Sequence, residues 1–224
     1  MEDLLYFNIA PGVEAFSTRR DSALPYPVTQ MHQVHKTKVY LVDKPGIERD
    51  ELDGYDALIT NVRNVAIGVR SADCFPVLIY DPVHRAIGAA HSGWRGTCQK
   101  IASVTLLEMA KNFGTVPKDV KVVIGPGIRV DSFQVGEEVP SAFKTAGFPL
   151  DIIWSFRGPC VEGSCEGGHH IDLCEAIKHT LSESGVLPSN VYDSGIDTYT
   201  APDFYSYRRE GRSAKRIISS IMLV

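Results

Sequence analysis

Two apolar runs separated by only four residues constrain the fold of this chain more than any other feature. The runs read PVLIYD and AIGAAH, and the connection between them is PVHR. A connection this short joins two antiparallel strands in a hairpin, so residues at equal distances from its centre lie side by side. With Val83 as the centre, Cys74 lies nine residues before it and His91 eight residues after it. The sequence therefore predicts that a thiol and an imidazole meet at one end of this hairpin.

Further short runs rich in β-branched residues predict more strands. They read LLYFNI, VEAFSTR, KVYLV, DALIT, VAIGV, VKVVIG, DIIWSF and RIISSIMLV. Helices are predicted around residues 98–112, around residues 137–146 and from an N-cap at Asp172 to Gly185. The predicted buried face of the first helix consists of Ile101, Val104, Leu107 and Ala110, and that of the last of Leu173, Ile177 and Leu181. Helices that cover a mixed sheet are the architecture that this order favours.

The composition limits the partners that the chain can have. Its net charge is −4, so it lacks the cationic field that drives nonspecific binding to nucleic acid. No apolar run approaches the roughly 18 residues that a membrane-spanning helix needs. We therefore expect a cytoplasmic protein with neither a nucleic-acid nor a membrane partner. The five cysteines are an odd number, which favours reduced thiols or metal ligands over a disulfide framework.

A third candidate ligand precedes another predicted strand. His35 lies in QVHKTKVYLV, and its imidazole can therefore also lie at the mouth of a strand. Thiolate sulfur and imidazole nitrogen suit Zn²⁺, and three protein ligands leave one tetrahedral position open, as in catalytic zinc sites. The more common alternative stays open at this point: Cys74 as a small buried hydrophobe, with the histidines as loop-capping side chains.

Seven motifs carry a family resemblance. In chain order they are QVHKTKVY, DALITN, VRSADCFPVLIYDP, GAAHSGWRGT, VVIGPGIRVDSFQVGEEV, HIDLCEA and FYSYRREG. Together they resemble the YfiH family, a laccase-domain or polyphenol-oxidase-type group now regarded as purine nucleoside phosphorylases. The resemblance implies a metal site formed by His35, Cys74 and His91. It also implies an α+β fold with a mixed, largely antiparallel β core of two packed sheets flanked by helices. A plain α/β sandwich is the alternative, and the absence of a convincing boundary predicts one domain over residues 1–224.

Phosphorolysis directs attention to further polar residues. Arg95 in GWRGT precedes a predicted helix, so Arg95 and the N–H groups at the start of that helix are candidates to hold phosphate. Asp73, beside Cys74, is a candidate general acid or base, or a carboxylate that orients a metal ligand. Asp56 in DALIT is a further candidate for that orienting role. The candidate substrate-binding residues are Arg19, Gln33 and Arg208. Each of these residues has a structural alternative, as a turn cap or a solvated arginine.

The chain departs from the family pattern in three places. The run DSALPYPVT after Arg20 is shorter than the corresponding segment of relatives, which puts the substrate contacts of that segment in doubt. Asp197 stands where many relatives have a cysteine. The run GPCVEGSCEGGHH contains Cys160, Cys165, His169 and His170. Because its spacing lacks the paired C-x₂-C pattern of structural zinc, we interpret these as incidental loop residues rather than as a second metal cluster.

The resemblance implies a zinc-dependent purine nucleoside phosphorylase with small-molecule partners, a nucleoside and phosphate. The expected substrates are adenosine, inosine, guanosine and S-methyl-5′-thioadenosine, with deamination of adenosine as a further activity. Bound Cu²⁺ would instead suit a polyphenol oxidase, although the seven histidines include no H-x-H pair of the kind that multicopper clusters commonly use. A third hypothesis makes Cys74, activated by His91, the nucleophile of a thiol hydrolase or deamidase. The sequence leaves the oligomeric state open.

Overall fold

The structure, a computed structural model, describes residues 3–157 and 167–224 of the chain. The strands are β1 Leu4–Tyr6, β2 Val13–Thr18, β3 Val39–Leu41, β4 Ala57–Thr60, β5 Ile67–Ser71, β6 Phe75–Asp81, β7 Ala86–Ser92, β8 Lys121–Ile124, β9 Gln134–Val135, β10 Trp154–Arg157, β11 Gly168–Ile171, β12 Val191–Asp193 and β13 Ile217–Leu223. The helices are α1 Trp94–Cys98, α2 Ile101–Phe113, α3 Glu138–Thr145, α4 Leu150–Ile153, α5 Leu173–Glu183 and α6 Tyr207–Glu210. No helix of these described ranges is long and apolar enough to cross a bilayer.

A six-stranded sheet in the order β12-β8-β6-β7-β4-β3 forms the middle layer. Its edge strands β12 and β3 pair in parallel, and its other pairs are antiparallel. One face packs against the four-stranded sheet β1-β2-β13-β5, and the opposite face packs against α2, α3 and α5. Strand β6 is buried on both faces. Leu78 lies in the core between the two sheets, and Val77 and Ile79 lie in the core between the six-stranded sheet and the helices. The predicted mixed, largely antiparallel core with flanking helices is confirmed.

A third sheet, which the sequence did not predict, has the order β10-β11-β9. Its strands, together with β12, are only two to four residues long, too short for a period-2 pattern to stand out. The run DIIWSF is only partly a strand, because α4 occupies its first residues and β10 begins at Trp154. Strand β9 directly follows Phe133, which lines the cavity described below.

The predicted hairpin is present as β6 and β7. Asp81 pairs with Ala86 at the turn, and Pro76 pairs with His91 at the opposite end. The true centre therefore lies half a residue beyond Val83, and Cys74 lies two residues before the partner of His91. Because side chains alternate along a strand, this two-residue offset keeps Cys74 and His91 on the same face of the ladder.

The first predicted helix is interrupted and buries a different face. Lys100 adopts a left-handed conformation with φ 59° between α1 and α2. The predicted face is wrong at Leu107, which is 65% exposed, whereas Leu106 is 1% exposed. Every third residue drifts around a helix of 3.6 residues per turn. The buried residues of α2 are in fact Ile101, Ala102, Thr105, Leu106 and Met109.

Helix α5 agrees with its predicted cap and face. The side chain of Asp172 accepts a hydrogen bond of 2.9 Å from the backbone N–H of Glu175. This bond satisfies one of the free N–H groups of the first turn. The apolar side chains that α5 buries include Leu173, Ile177 and Leu181.

The corrected face of α2 makes a testable prediction about stability. Leu106→Ala is expected to lower the free energy of unfolding by about 2–5 kcal/mol, because it leaves a cavity in the core. Leu107→Ala is the matched control and is expected to change it by less than about 0.5 kcal/mol. Urea unfolding followed by circular dichroism measures both. Equal losses for the two variants would contradict the described packing.

Candidate metal centre

Three side chains from separate segments converge at the open end of the hairpin. His35 lies in the loop before β3, Cys74 in the turn between β5 and β6, and His91 on β7. One nitrogen or sulfur atom from each lies within 4.8 Å of the other two. The Sγ atom of Cys74 is 3.9 Å from Nε2 of His35, and the two imidazole centroids are 4.9 Å apart. The structure therefore brings together the three residues that the sequence singled out as metal ligands.

This donor set fits a divalent metal ion in both chemistry and spacing. Zinc binds thiolate sulfur at about 2.3 Å and imidazole nitrogen at about 2.0–2.1 Å. A tetrahedral centre with these bond lengths holds its sulfur and nitrogen ligands about 3.6 Å apart. The separation between Cys74 Sγ and His35 Nε2, 3.9 Å, is close to that value. Three protein ligands leave one coordination position for water or substrate.

The carboxylate of Asp56 holds two of the three ligands in place. It is fully buried and accepts hydrogen bonds from the backbone N–H groups of Val34, His35 and Lys36, at 3.2, 2.9 and 2.7 Å. Consecutive N–H groups that converge on one anion form a nest, and His35 adopts the left-handed φ of 60° within it. Asp56 Oδ1 also lies 3.1 Å from Nδ1 of His91. With Nδ1 engaged in this way, Nε2 is the nitrogen of His91 that is available to a metal.

Electrostatics favour the ligand form of the cysteine. Burial acts to raise the pKa of Cys74, but the imidazoles of His91 and His35 outweigh burial and lower it to about 6. Burial conversely acts to lower the pKa of His91, while Cys74 and Asp56 raise it to about 9. Hydrogen bonds from His91 and from the loop N–H groups likewise outweigh burial and lower the pKa of Asp56. At neutral pH these shifts give a thiolate beside the protonated imidazolium of His91, with a carboxylate behind it, so a metal ion that binds Nε2 of His91 displaces a proton from that ring.

Gly93 provides the space that the sulfur occupies. A Cβ atom at this position would lie 2.7 Å from Cys74 Sγ and 3.1 Å from His35 Cδ2. The backbone of Gly93 has φ −77°, which any residue can adopt. Space for the ligands, rather than backbone conformation, therefore requires glycine here.

The three ligands line a cavity of about 850 Å³, within the range of about 300–1,000 Å³ that is typical of small-molecule sites. Apolar and aromatic contacts come from Met31, Ile128, Phe133 and Tyr207. The charged side chains of the lining, apart from the ligands, are Asp73, Arg49, Arg70, Arg208, Lys215 and Arg216. The wall is therefore strongly cationic, with one carboxylate.

Three other predicted site residues lie in this cavity, but their polar groups already have protein partners. Asp73 has φ 88°, and its carboxylate accepts hydrogen bonds from Thr198 Oγ1 at 2.8 Å and from the backbone N–H of Arg208 at 2.6 Å. The guanidinium of Arg208 donates to the carbonyl oxygens of Ser132 and Gln134. The amide of Gln33 bonds both the N–H and the C=O of Arg70. These contacts fix the cavity wall.

Two predicted site residues lie elsewhere. Arg95 is exposed, and its guanidinium stacks on the ring of Trp94 at 4.2 Å. Helix α1 has only five residues, too few to build up a helix dipole that could support an anion. Arg19 pairs with Asp203 at 2.5 Å instead of lining the cavity. A single sequence motif does not reveal the direction of a side chain, and this is why both placements differ from the expectation.

The sequence reasoning missed four cations of the wall, namely Arg49, Arg70, Lys215 and Arg216. Arg70 lies in VRSADC, four residues before Cys74, and this proximity was the one signal that could have identified it. Only tertiary packing brings Arg49, Lys215 and Arg216 to the cavity wall.

The remaining residues that the sequence singled out belong to other contacts. Cys160 and Cys165 lie outside the described residues. His169 accepts a hydrogen bond from the indole N–H of Trp154 at 3.0 Å, and Nδ1 of His170 lies 2.7 Å from the carbonyl oxygen of Val130. The carboxylate of Asp197 accepts a hydrogen bond of 2.5 Å from Ser132 Oγ, so it has a structural partner.

Comparison with known proteins places this geometry in a family. The family model described as multi-copper polyphenol oxidoreductase laccase matches residues 13–224. A purine nucleoside phosphorylase of Bacteroides thetaiotaomicron is 40% identical, over 97% of this chain and 84% of the relative. Adenosine deaminase RL5, from an unknown prokaryotic organism, is 34% identical over 84% of this chain and 72% of its own length.

Solved structures share the fold. The YfiH protein of Bacillus licheniformis superposes with a TM-score of 0.83 at 22% identity, covering 98% of this chain and 99% of that one. YlmD from Geobacillus stearothermophilus superposes with a TM-score of 0.81 at 22% identity, covering 100% and 97%.

The role of Asp56 can be tested through metal affinity. Asp56→Asn is expected to weaken metal binding by about 10–100-fold, because an amide cannot accept from all of its present N–H donors. Competition with a chromogenic chelator measures the affinity. Asp50→Asn is the matched control, since the Asp50 side chain is 95% exposed and pairs only with His32 among the described residues. Equal affinities for the two variants would contradict the role assigned to Asp56.

The role of Gly93 can be tested through metal content. Gly93→Ala is expected to retain the fold but to purify with far less than one metal ion per chain, because the new methyl group displaces Cys74 Sγ. Elemental analysis measures the metal, and circular dichroism the fold. A folded variant with a full metal complement would show that the sulfur does not need this space.

Proposed function

The chain belongs to the multi-copper polyphenol oxidoreductase laccase family, and from this membership and the site geometry we propose that it is a metal-dependent purine nucleoside phosphorylase with adenosine deaminase activity. Adenosine, inosine, guanosine and S-methyl-5′-thioadenosine are its proposed substrates. The observation that carries the proposal is the His35, Cys74 and His91 donor set on the wall of a cavity that is otherwise rich in guanidinium groups. The names of the two curated relatives support both activities.

The cationic wall favours phosphorolysis among the reactions considered. A phosphorolytic enzyme binds an anion and a neutral nucleoside together, whereas oxidation of a phenol needs no anion. The cavity presents five cationic side chains and one carboxylate beside the metal ligands. Phe133 and Tyr207 offer aromatic surface on which a purine can stack. Asp73 is proposed to hold the loop that carries Cys74 and to serve as the proton donor or acceptor nearest to that ligand.

Zinc is the proposed metal. Bound at His35, Cys74 and His91, it would supply a Lewis acid at the cavity wall. Copper accepts the same three ligands, but the described residues contain one group of potential metal ligands, whereas multicopper oxidation requires several ions in proximity. A single-ion enzyme is therefore the better fit to this donor set.

A thiol hydrolase is the second candidate, and one observation favours it. Cys74, His91 and Asp56 form a chain of contacts in the order nucleophile, base and orienting carboxylate. His35 argues against it, because a second imidazole 3.9 Å from the sulfur has no role in a nucleophile and base pair. Both hypotheses use the Cys74 thiolate. Removal of the metal distinguishes them, because only the phosphorylase requires it.

The proposed function predicts that the products formed from adenosine depend on both phosphate and metal. Release of adenine should require inorganic phosphate, and release of inosine should not, because deamination uses water. Both products should disappear after dialysis against a strong chelator and return when Zn²⁺ is added. Chromatography of the products, with elemental analysis of each protein sample, measures this.

The controls separate the candidates. Activity on an amide or ester that survives complete metal removal, together with rapid alkylation of Cys74, would support the thiol hydrolase. Phenol oxidation that scales with copper content would support the oxidase. Metal-replete protein that converts adenosine to neither adenine nor inosine would contradict the proposal.

A further inference from the structure

Three guanidinium groups meet on the cavity wall. Arg49 comes from the 3₁₀ turn Arg49–Leu52, Arg70 from β5 and Arg216 from the residue before β13. All three line the cavity that contains the metal ligands. They are distinct from the residues proposed above to hold the metal.

The sheet register accounts for the approach of two of them. Arg70 pairs with Ile218 across the β5 and β13 ladder. Arg216 lies two residues before Ile218, so it is the diagonal neighbour of Arg70 on the same face. The amide of Gln33 also pins the backbone of Arg70, with hydrogen bonds of 2.7 and 2.8 Å. Arg49 is held by a bond of 3.3 Å from its Nε to the carbonyl oxygen of Met31.

Among the described residues, these three arginines lack carboxylate partners of the kind that Arg19 and Arg129 have. Arg19 pairs with Asp203 and Arg129 with Asp193, at 2.5 and 2.7 Å. Within residues 3–157 and 167–224, no ion pair joins Arg49, Arg70 or Arg216 to a carboxylate. The side chains of Arg49 and Arg216 donate to carbonyl oxygens, and most of their N–H donors have no partner within the described part of the chain.

The cluster carries an electrostatic cost in the free protein. Burial lowers the pKa of Arg70, and the positive charges of Arg49 and Arg216 lower it further. Like charges held together on a partly buried wall are unfavourable unless an anion neutralises them. The other two cations of the wall are differently engaged: Lys215 pairs with Asp21 at 2.7 Å, and Arg208 donates to two carbonyl oxygens.

A second cavity, of about 680 Å³, lies on the other side of these groups. Arg49 and Arg70 line both cavities. These two residues therefore lie between the two spaces. An anionic group that binds Arg49 and Arg70 can therefore be a small anion in the first cavity, or part of a larger ligand that extends into the second cavity.

We propose that Arg49, Arg70 and Arg216 form an oxyanion subsite that binds a tetrahedral phosphate group. Planar guanidiniums bind phosphate through paired N–H donors, which suits a converging set of three. The phosphate comes either from inorganic phosphate or from the phosphate ester of a nucleotide. The choice of phosphate as the anion rests on the proposed function, whereas the positions of the three arginines do not.

Binding measurements on the full-length, metal-loaded protein test this subsite without relying on turnover. Inorganic phosphate is titrated by calorimetry and by ³¹P NMR at constant ionic strength. Arg70→Gln and Arg216→Gln are each expected to weaken its binding about tenfold or more, because a charge-assisted hydrogen-bonded pair is lost. Arg63→Gln is the matched control: Arg63 is exposed and lines neither cavity. Arg216 is also exposed, so its variant carries the test if Arg70→Gln does not fold.

Adenosine 5′-phosphate distinguishes the two sources of phosphate. Displacement of inorganic phosphate by this nucleotide, lost in Arg70→Gln, would support a subsite that accepts nucleotide esters. Binding of inorganic phosphate without such competition would support a subsite for the free anion alone. Phosphate binding that is unchanged in both glutamine variants, relative to Arg63→Gln, would overturn the subsite.

The two proposals fail in distinguishable ways. Phosphate-dependent cleavage of adenosine with an unchanged KM for phosphate in both variants would overturn the subsite and leave the proposed function intact. Arginine-dependent phosphate binding in a protein that cleaves no nucleoside would support the subsite and contradict the proposed function.

Discussion

The buried carboxylate of Asp56 is the contact on which the metal centre depends. An ionised carboxylate without partners costs several kcal/mol to bury, and here three backbone N–H groups and one imidazole compensate that cost. The N–H groups belong to the loop that carries His35, and the imidazole is that of His91. One anion at the start of β4 thereby joins a loop and a strand that are far apart in the sequence. Cys74 is the remaining ligand, and the β6 and β7 ladder positions it relative to His91.

The cavity divides electrostatically into two regions. A thiolate and a carboxylate lie at the metal centre, where they suit a divalent cation. Arg49, Arg70 and Arg216, which have no carboxylate partner among the described residues, line the same cavity. Such a wall suits a reaction that combines a metal ion with an anionic co-substrate. The β5 strand connects the two regions, since Arg70 and Cys74 are only four residues apart. The positions of the two sets of charges are therefore coupled through the backbone.

The sequence predicted local relationships well and side-chain directions poorly. The hairpin and the meeting of Cys74 with His91 followed from a short connection and the alternation of strands, which are local properties. His35 was assigned through spacing and resemblance, because its position depends on a loop wrapped around a carboxylate 21 residues away. The buried face of α2 was misjudged, since helix rotation is set by tertiary packing. Arg95 does not line the cavity, and its role stays a prediction. The guanidinium cluster joins three distant segments and had no sequence signature. The single domain and the cytoplasmic location stay predictions.

Two imidazoles and one thiolate are proposed to hold a single metal ion on the cavity wall. X-ray absorption spectroscopy at the metal edge, on protein purified without added metal, tests it most directly. We expect a four-coordinate ion with one sulfur at about 2.3 Å and two imidazole nitrogens at about 2.0–2.1 Å, and loss of the sulfur shell in Cys74→Ser. A metal ion with only nitrogen and oxygen neighbours in the wild-type protein would contradict it.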